Sequence, residues 1–153
     1  MIFVNTISDY HRYLIKYRDL IDTTIDMNLE SKTYFKKQWS VEKLKDQKDN
    51  WIFLEAVDEK DIIIGILMGT PLEGGVGTII WVLVDNNYQK KGIGRDLFQN
   101  AINLYKLKGG HKVKLTVPDE KTTDFYKKNG MRVEGFHSNH WWKQDFWALG
   151  IDI

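Results

Sequence analysis

The sequence predicts a mixed α/β domain with helices on both faces of its sheet. Three observations carry this. Three apolar, β-prone runs follow one another between Trp51 and Val84 with short connections, which implies an antiparallel meander. These runs hold few polar residues, as strands covered on both faces do. An amphipathic helix pattern and further strand and helix patterns then alternate to the end of the chain. The 153 residues are 42 % hydrophobic, enough to bury a core without staples, and are read as one domain, 1–153.

Taken in order, Ile2-Phe3-Val4 is a short first strand. Ser8 is the expected cap of a helix carrying Tyr10, Leu14, Tyr17 and Ile21 on one face. A more polar helical region spans 31–48, with a break near Ser40. Strands are expected at 51–57, 62–68 and 78–84, with a turn at 58–61 and a glycine-rich loop at 72–77. From Gly92 to Leu107, Ile93, Leu97, Ala101 and Tyr105 form one apolar stripe, and Gly109-Gly110 ends the helix. A strand at 112–117, a short helix at 121–129 closed by Gly130, and strands at 131–136 and 146–151 complete the chain.

Composition removes several classes of function. The absence of Cys excludes disulfides, thiolate catalysis and thiolate zinc sites. The net charge of +1 gives no general attraction to nucleic acid or an anionic membrane. No apolar run approaches the ~18 residues of a membrane span, and no signal peptide is read at the N-terminus, so the expected setting is cytoplasmic.

The chemistry concentrates at Val82 through Arg95. A β-run ends at Val84, a polar turn follows, and Gly92 and Gly94 open the amphipathic helix. A helix start presents unpaired backbone N–H groups and partial positive charge, and glycines let a phosphate approach closely. Lys90, Lys91 and Arg95 add charge. The pattern predicts an anion site, set against the blander alternative of a glycine turn with solvated basic residues. It is neither a P-loop, which needs Gly-Lys-Ser/Thr, nor a Rossmann turn, where Leu97 would have to be small.

Gln89-Lys90-Lys91-Gly92-Ile93-Gly94 resembles the acetyl-CoA motif of the GNAT superfamily of N-acetyltransferases, Gln/Arg-x-x-Gly-x-Gly/Ala. Downstream, Phe125-Tyr126-Lys127-Lys128-Asn129-Gly130-Met131 is similar to that family's Phe-Tyr-x-x-x-Gly-Phe segment, with Met131 replacing Phe. The specific likeness covers residues 78–131, and the element order extends it loosely over the chain.

The resemblance implies a GNAT-type fold with a splayed strand pair, and acetyl-CoA as co-substrate without a metal. The N–H groups of Gln89, Lys90, Lys91, Gly92, Ile93, Gly94 and Arg95 would hold the pyrophosphate. The backbone at Val82 and Val84 would bond the acetyl carbonyl and pantetheine arm as an added strand. Tyr126 would be the catalytic acid at the CoA sulfur. Lys127 or Lys128 could meet the 3′-phosphate, and a solvated helix face accounts for them equally well. The expected reaction is direct attack of a primary amine, of a small molecule or of a protein, on the thioester. The alternative is a non-catalytic CoA-binding regulatory module, which would not need an acid at Tyr126.

The base is the departure from the pattern. Relatives carry glutamates where this chain has Thr78 and Thr116. Glu55, in an apolar run, and Asp85, in the turn, are the substitutes, weighed against an outward-facing edge carboxylate and a turn residue; a water chain is the other route. His137 and His140, in the connection that borders the acceptor site of many relatives, have metal-like spacing but no third ligand. The aromatic surplus at Tyr34, Trp39, Trp51, Trp81, Trp141, Trp142 and Trp147 permits an aromatic acceptor cleft. Core packing and a homodimer interface are the expectation for most of these residues.

Overall fold

The computed structural model describes residues 1–153. The strands are β1 (Phe3–Thr6), β2 (Ile52–Val57), β3 (Ile63–Gly69), β4 (Val76–Val84), β5 (Lys112–Val117), β6 (Arg132–His137) and β7 (Phe146–Asp152). The helices are α1 (Tyr10–Thr24), α2 (Leu29–Lys36), α3 (Val41–Gln47), α4 (Ile93–Leu107) and α5 (Glu120–Lys128). Short 3-10 turns lie at Asn86–Tyr88 and Trp141–Lys143. One seven-stranded sheet results, in the order β1-β2-β3-β4-β5-β7-β6. All neighbours are antiparallel except β4 and β5.

Caps account for where the helices start. Asp9, not Ser8, caps α1: its carboxylate accepts from the Arg12 N–H at 3.0 Å, while the Ser8 N–H donates to Glu55. The break near Ser40 is the start of α3, whose Lys43 N–H donates to the Ser40 hydroxyl at 3.1 Å.

Strand alternation divides the core between the two faces of the sheet. Ile52, Leu54 and Ala56 of β2 pack with Ile93, Leu97, Phe98 and Ala101 of α4. Phe53 and Val57 turn the other way, onto Tyr13, Tyr17, Leu20 and Ile21 of α1. β2 and β3 are buried along their whole length, as their scarcity of polar residues predicts.

β4 begins at Val76, two residues before the expected Thr78. Of the three glycines that read as loop, Gly74 and Gly75 do form a turn, but Gly77 sits inside the short parallel pairing of Val76, Gly77 and Thr78 with Lys112, Val113 and Lys114. Gly77 is there for space. A Cβ on it would overlap the Tyr105 ring, whose hydroxyl donates to the Thr70 carbonyl at 2.7 Å. Gly77→Ala is therefore expected to lower stability by about 1–3 kcal/mol through overpacking. Gly135→Ala, where the nearest atom lies 4.0 Å from the new Cβ, should be near neutral. Urea unfolding of the two variants checks the contrast.

Candidate active site

β4 and β5 pair only from Val76 to Thr78, and beyond that point they part. The remainder of β4 keeps its bonds to β3 alone. Asp85 N–H donates to the Ile64 carbonyl at 2.8 Å, which makes Ile64 and Asp85 a hydrogen-bonded pair. By alternation, Val82 and Val84 fall at non-bonded positions opposite Leu67 and Gly65. Their backbone groups therefore face the split. The Val84 carbonyl accepts there from the Gln89 side-chain amide at 3.1 Å.

A register shift next to the split escaped the sequence reading. Met68 pairs with Trp81 and Gly69 with Ile79, so Ile80 bulges out unpaired and is 44 % exposed. A bulge alters no residue pattern, so only the pairing exposes it.

The loop that leads into α4 is built on two left-handed residues, Lys90 (φ 63°) and Gly92 (φ 82°). Gly92 is the N-cap of α4 and supplies no side-chain cap. The first helical bond runs from Asp96 N–H to the Gly92 carbonyl, and the N–H groups of Gln89 through Arg95 find no acceptor in the protein. Gly94 lies where three segments meet. A Cβ placed on it would stand 3.4 Å from Phe125 and 3.9 Å from Val82. The loop, β4 and α5 thus converge on one place, as the two motifs require.

On α5 the two aromatics divide as their 100° offset allows. Phe125 is 36 % exposed, and Tyr126 is 7 % exposed, edge-on to Phe98 at 5.8 Å. Burial pushes the Tyr126 phenol well above its usual value. Its hydroxyl makes no hydrogen bond to protein, unlike the buried hydroxyls of Tyr13 and Tyr17, which donate to the carbonyls of Leu67 and Phe35.

The substitute bases fall away on geometry. Glu55 is no edge carboxylate: it is 1 % exposed, flanked by β1 and β3, and paired with Arg12 at 3.1 Å. Two strands, β3 and β4, separate it from the split. Asp85 caps the 3-10 turn through the Asn87 N–H and pairs with Lys16 at 3.0 Å; both hold its carboxyl below the usual range. The His137 and His140 rings are exposed and stacked at 4.7 Å, and no cluster of three or more His, Cys, Asp or Glu is placed to hold a metal. No helix is long and apolar enough to cross a membrane.

The pairing of Glu55 yields a prediction. Removing one partner of a buried ion pair strands the other charge. Arg12→Met should lower stability by about 3 kcal/mol, toward the small end of the range because the Arg12 side chain is 34 % exposed. Chemical denaturation measures the loss, and any acetyl transfer by the folded variant should be unchanged, given the distance from the split.

The sequence model of the acetyltransferase (GNAT) family matches residues 17–131. The chain belongs to the GNAT acetyltransferase family. The fold agrees. An acetyltransferase of the GNAT family from Streptococcus pneumoniae matches with a TM-score of 0.83 at 18 % identity over 100 % of both chains. The PaiA N-acetyltransferase of Thermoplasma acidophilum, solved with coenzyme A, matches at 0.80 and 20 % identity over 100 % of this chain and 99 % of that one. The ribosomal-protein-S18-alanine N-acetyltransferase of Escherichia coli matches at 0.78 and 14 % identity over 100 % and 94 %. No curated protein sequence matches. For this GNAT chain, the family's splayed strand pair is the β4–β5 split, and its covering helices lie on both faces.

Proposed function

We propose that residues 1–153 form one N-acetyltransferase domain that moves an acetyl group from acetyl-CoA to a primary amine. One observation carries the reading. The backbone of Val82 and Val84 that faces away from β3, taken only at the Val84 carbonyl by the Gln89 side chain, leads directly into a run of free N–H groups from Gln89 to Arg95. The first set suits a pantetheine amide chain lying as an extra strand, the second a pyrophosphate.

The amine nitrogen attacks the thioester carbon, the C–N bond forms, the C–S bond breaks, and the thiolate leaves. With threonine at 78 and 116, the ammonium proton leaves through water in the split. Tyr126, with its hydroxyl free of protein partners, donates to the departing sulfur. No nucleic acid or membrane takes part, and the working compartment is the cytoplasm.

The missing carboxylate at both threonine positions favours the second reading, a CoA-binding module without turnover. Thiol release from acetyl-CoA against a broad panel of amines and peptides separates the two. Turnover above the uncatalysed rate with any amine is expected. Tight CoA binding with no turnover across the panel would leave the binding module standing.

A further inference from the structure

The free N–H groups between Gln89 and Arg95 are held by neither helix nor sheet bonds of their own. Backbone bonding fixes only what precedes them. Asp85 N–H donates to the Ile64 carbonyl and Tyr88 N–H to the Asp85 carbonyl, each at 2.8 Å. Donors that meet an anion without a large ordering cost must already be held in place, so side chains have to supply the rest.

Those side chains lead to α1, which packs on the face of the sheet opposite α4. Lys16 of α1 pairs with one oxygen of Asp85 at 3.0 Å, and the other oxygen accepts from the Asn87 N–H at 3.0 Å. About two turns further along α1, the Thr23 carbonyl accepts from the Asn86 side-chain amide at 2.9 Å. The Asn86 side-chain oxygen accepts in turn from the Gln89 amide at 3.1 Å, the same amide that reaches the Val84 carbonyl in the split. Tyr88 adds one longer contact, its hydroxyl 3.4 Å from Asp58 in the β2–β3 turn. Asn86 and Gln89 are exposed, whereas the side chains of Lys16 and Asp85 are only 19 % and 25 % exposed. Their pair is therefore screened less than a surface pair. Lys16 also lies 3.5 Å from Asp19, but Asp85 is the closer and the more buried partner.

We infer that Lys16 is a positioning residue for the cofactor and acts through Asp85. The inference rests on the proposed binding of acetyl-CoA at the split and the loop. Lys16 does two things there. It anchors the turn that aims the free N–H groups, from a helix on the other side of the sheet. It also neutralises a carboxylate that directly follows Val84 and stands four residues before Gln89. Without Lys16 that negative charge repels the phosphates of the cofactor. Cofactor affinity thus depends on a helix that contributes no group to the loop itself.

The test is calorimetric titration of CoA into the parent chain, Lys16→Met, Lys16→Arg, Asp85→Asn and the double variant Lys16→Met/Asp85→Asn, each well below its melting temperature. Lys16→Met keeps an unbranched stem and a good helix former, so α1 is preserved, and CoA affinity should fall about tenfold. Lys16→Arg keeps the charge and should stay within about threefold of the parent. Asp85→Asn removes the charge while its side-chain oxygen can still accept from the Asn87 N–H, and should cost about threefold or less. The double variant should bind CoA as Asp85→Asn does, and better than Lys16→Met, because a residue that acts through Asp85 has no effect once the carboxylate is gone. In thiol release from acetyl-CoA the loss in Lys16→Met should appear in KM, with kcat within about twofold, whereas a merely loosened fold lowers kcat and melting temperature together. CoA affinity in Lys16→Met within twofold of the parent, losses that simply add in the double variant, or a fall in kcat at unchanged KM overturns the inference and leaves the acetyl-CoA reading intact. A parent chain that binds no CoA overturns both.

Discussion

Gly94→Asp is expected to fold as well as the parent chain and to lose coenzyme A. The added Cβ meets Phe125 at 3.4 Å and Val82 at 3.9 Å, ordinary contact distances, so the backbone has room. The position lies in the first turn of α4, where a carboxylate interacts favourably with the helix dipole and the free N–H groups. Helix stability should hold or rise. The same carboxylate would stand where the proposed reading puts the pyrophosphate. Like charges ~4 Å apart at an intermediate effective dielectric repel by about 4 kcal/mol, roughly a thousandfold in affinity. Gly94→Ala separates the effects, since it adds the Cβ without the charge and should cost far less. Calorimetric titration with CoA and a thermal melt read both quantities. Unchanged CoA affinity in a folded Gly94→Asp protein would remove the loop from the binding site.

Tyr126→Phe is the second large effect, and it should fall on turnover alone. The substitution keeps the ring against Phe98 and deletes a hydroxyl that bonds to no protein atom, so no buried partner is orphaned. Melting temperature and CoA affinity should scarcely move. A phenol with an ordinary pKa of ~10 is protonated at neutral pH and can donate to a thiolate whose conjugate acid has a pKa of ~8.5. Burial raises the Tyr126 value further, so the proton stays available across the working range, while full transfer to sulfur becomes less favourable. On the proposed acetyl-transfer reading, the hydroxyl would then act mainly by hydrogen-bonding the developing charge. General-acid contributions run from about 10² to 10⁴, and the lower end is expected here because a thiolate already leaves readily. A pH profile of kcat should show no new limb from a tyrosine below the alkaline range. Normal turnover of Tyr126→Phe with its best acceptor would reduce Tyr126 to a packing residue.

Much of this was legible in the residues because local rules decide it. The stripe from Ile93 to Tyr105 dictates which face of α4 is buried, and all four stripe residues are. Gly92 and Gly94 mark the start of that helix because only a glycine readily takes φ 82° there and close approach needs a missing Cβ. The 112–117 strand, the break before α3 and the unequal fates of Phe125 and Tyr126 likewise follow from spacing and capping. What spacing could not reach depends on residues far apart in the chain. Glu55 read as either a substitute base or an edge carboxylate because nothing nearby in sequence announces Arg12, 43 positions earlier. The bulge at Ile80 arises from pairing with β3, and the start of β4 at Val76 from pairing with β5, so neither leaves a local pattern. The edge-on contacts among Tyr34, Phe35, Trp81 and Trp142 join side chains from three separate segments, and composition could report only that aromatic residues were plentiful. Periodicity is a property of one segment and so is written in the sequence. Register, the pairing of a buried charge and the contacts of an aromatic cluster are properties of two or more segments, and they exist only once the chain has closed on itself.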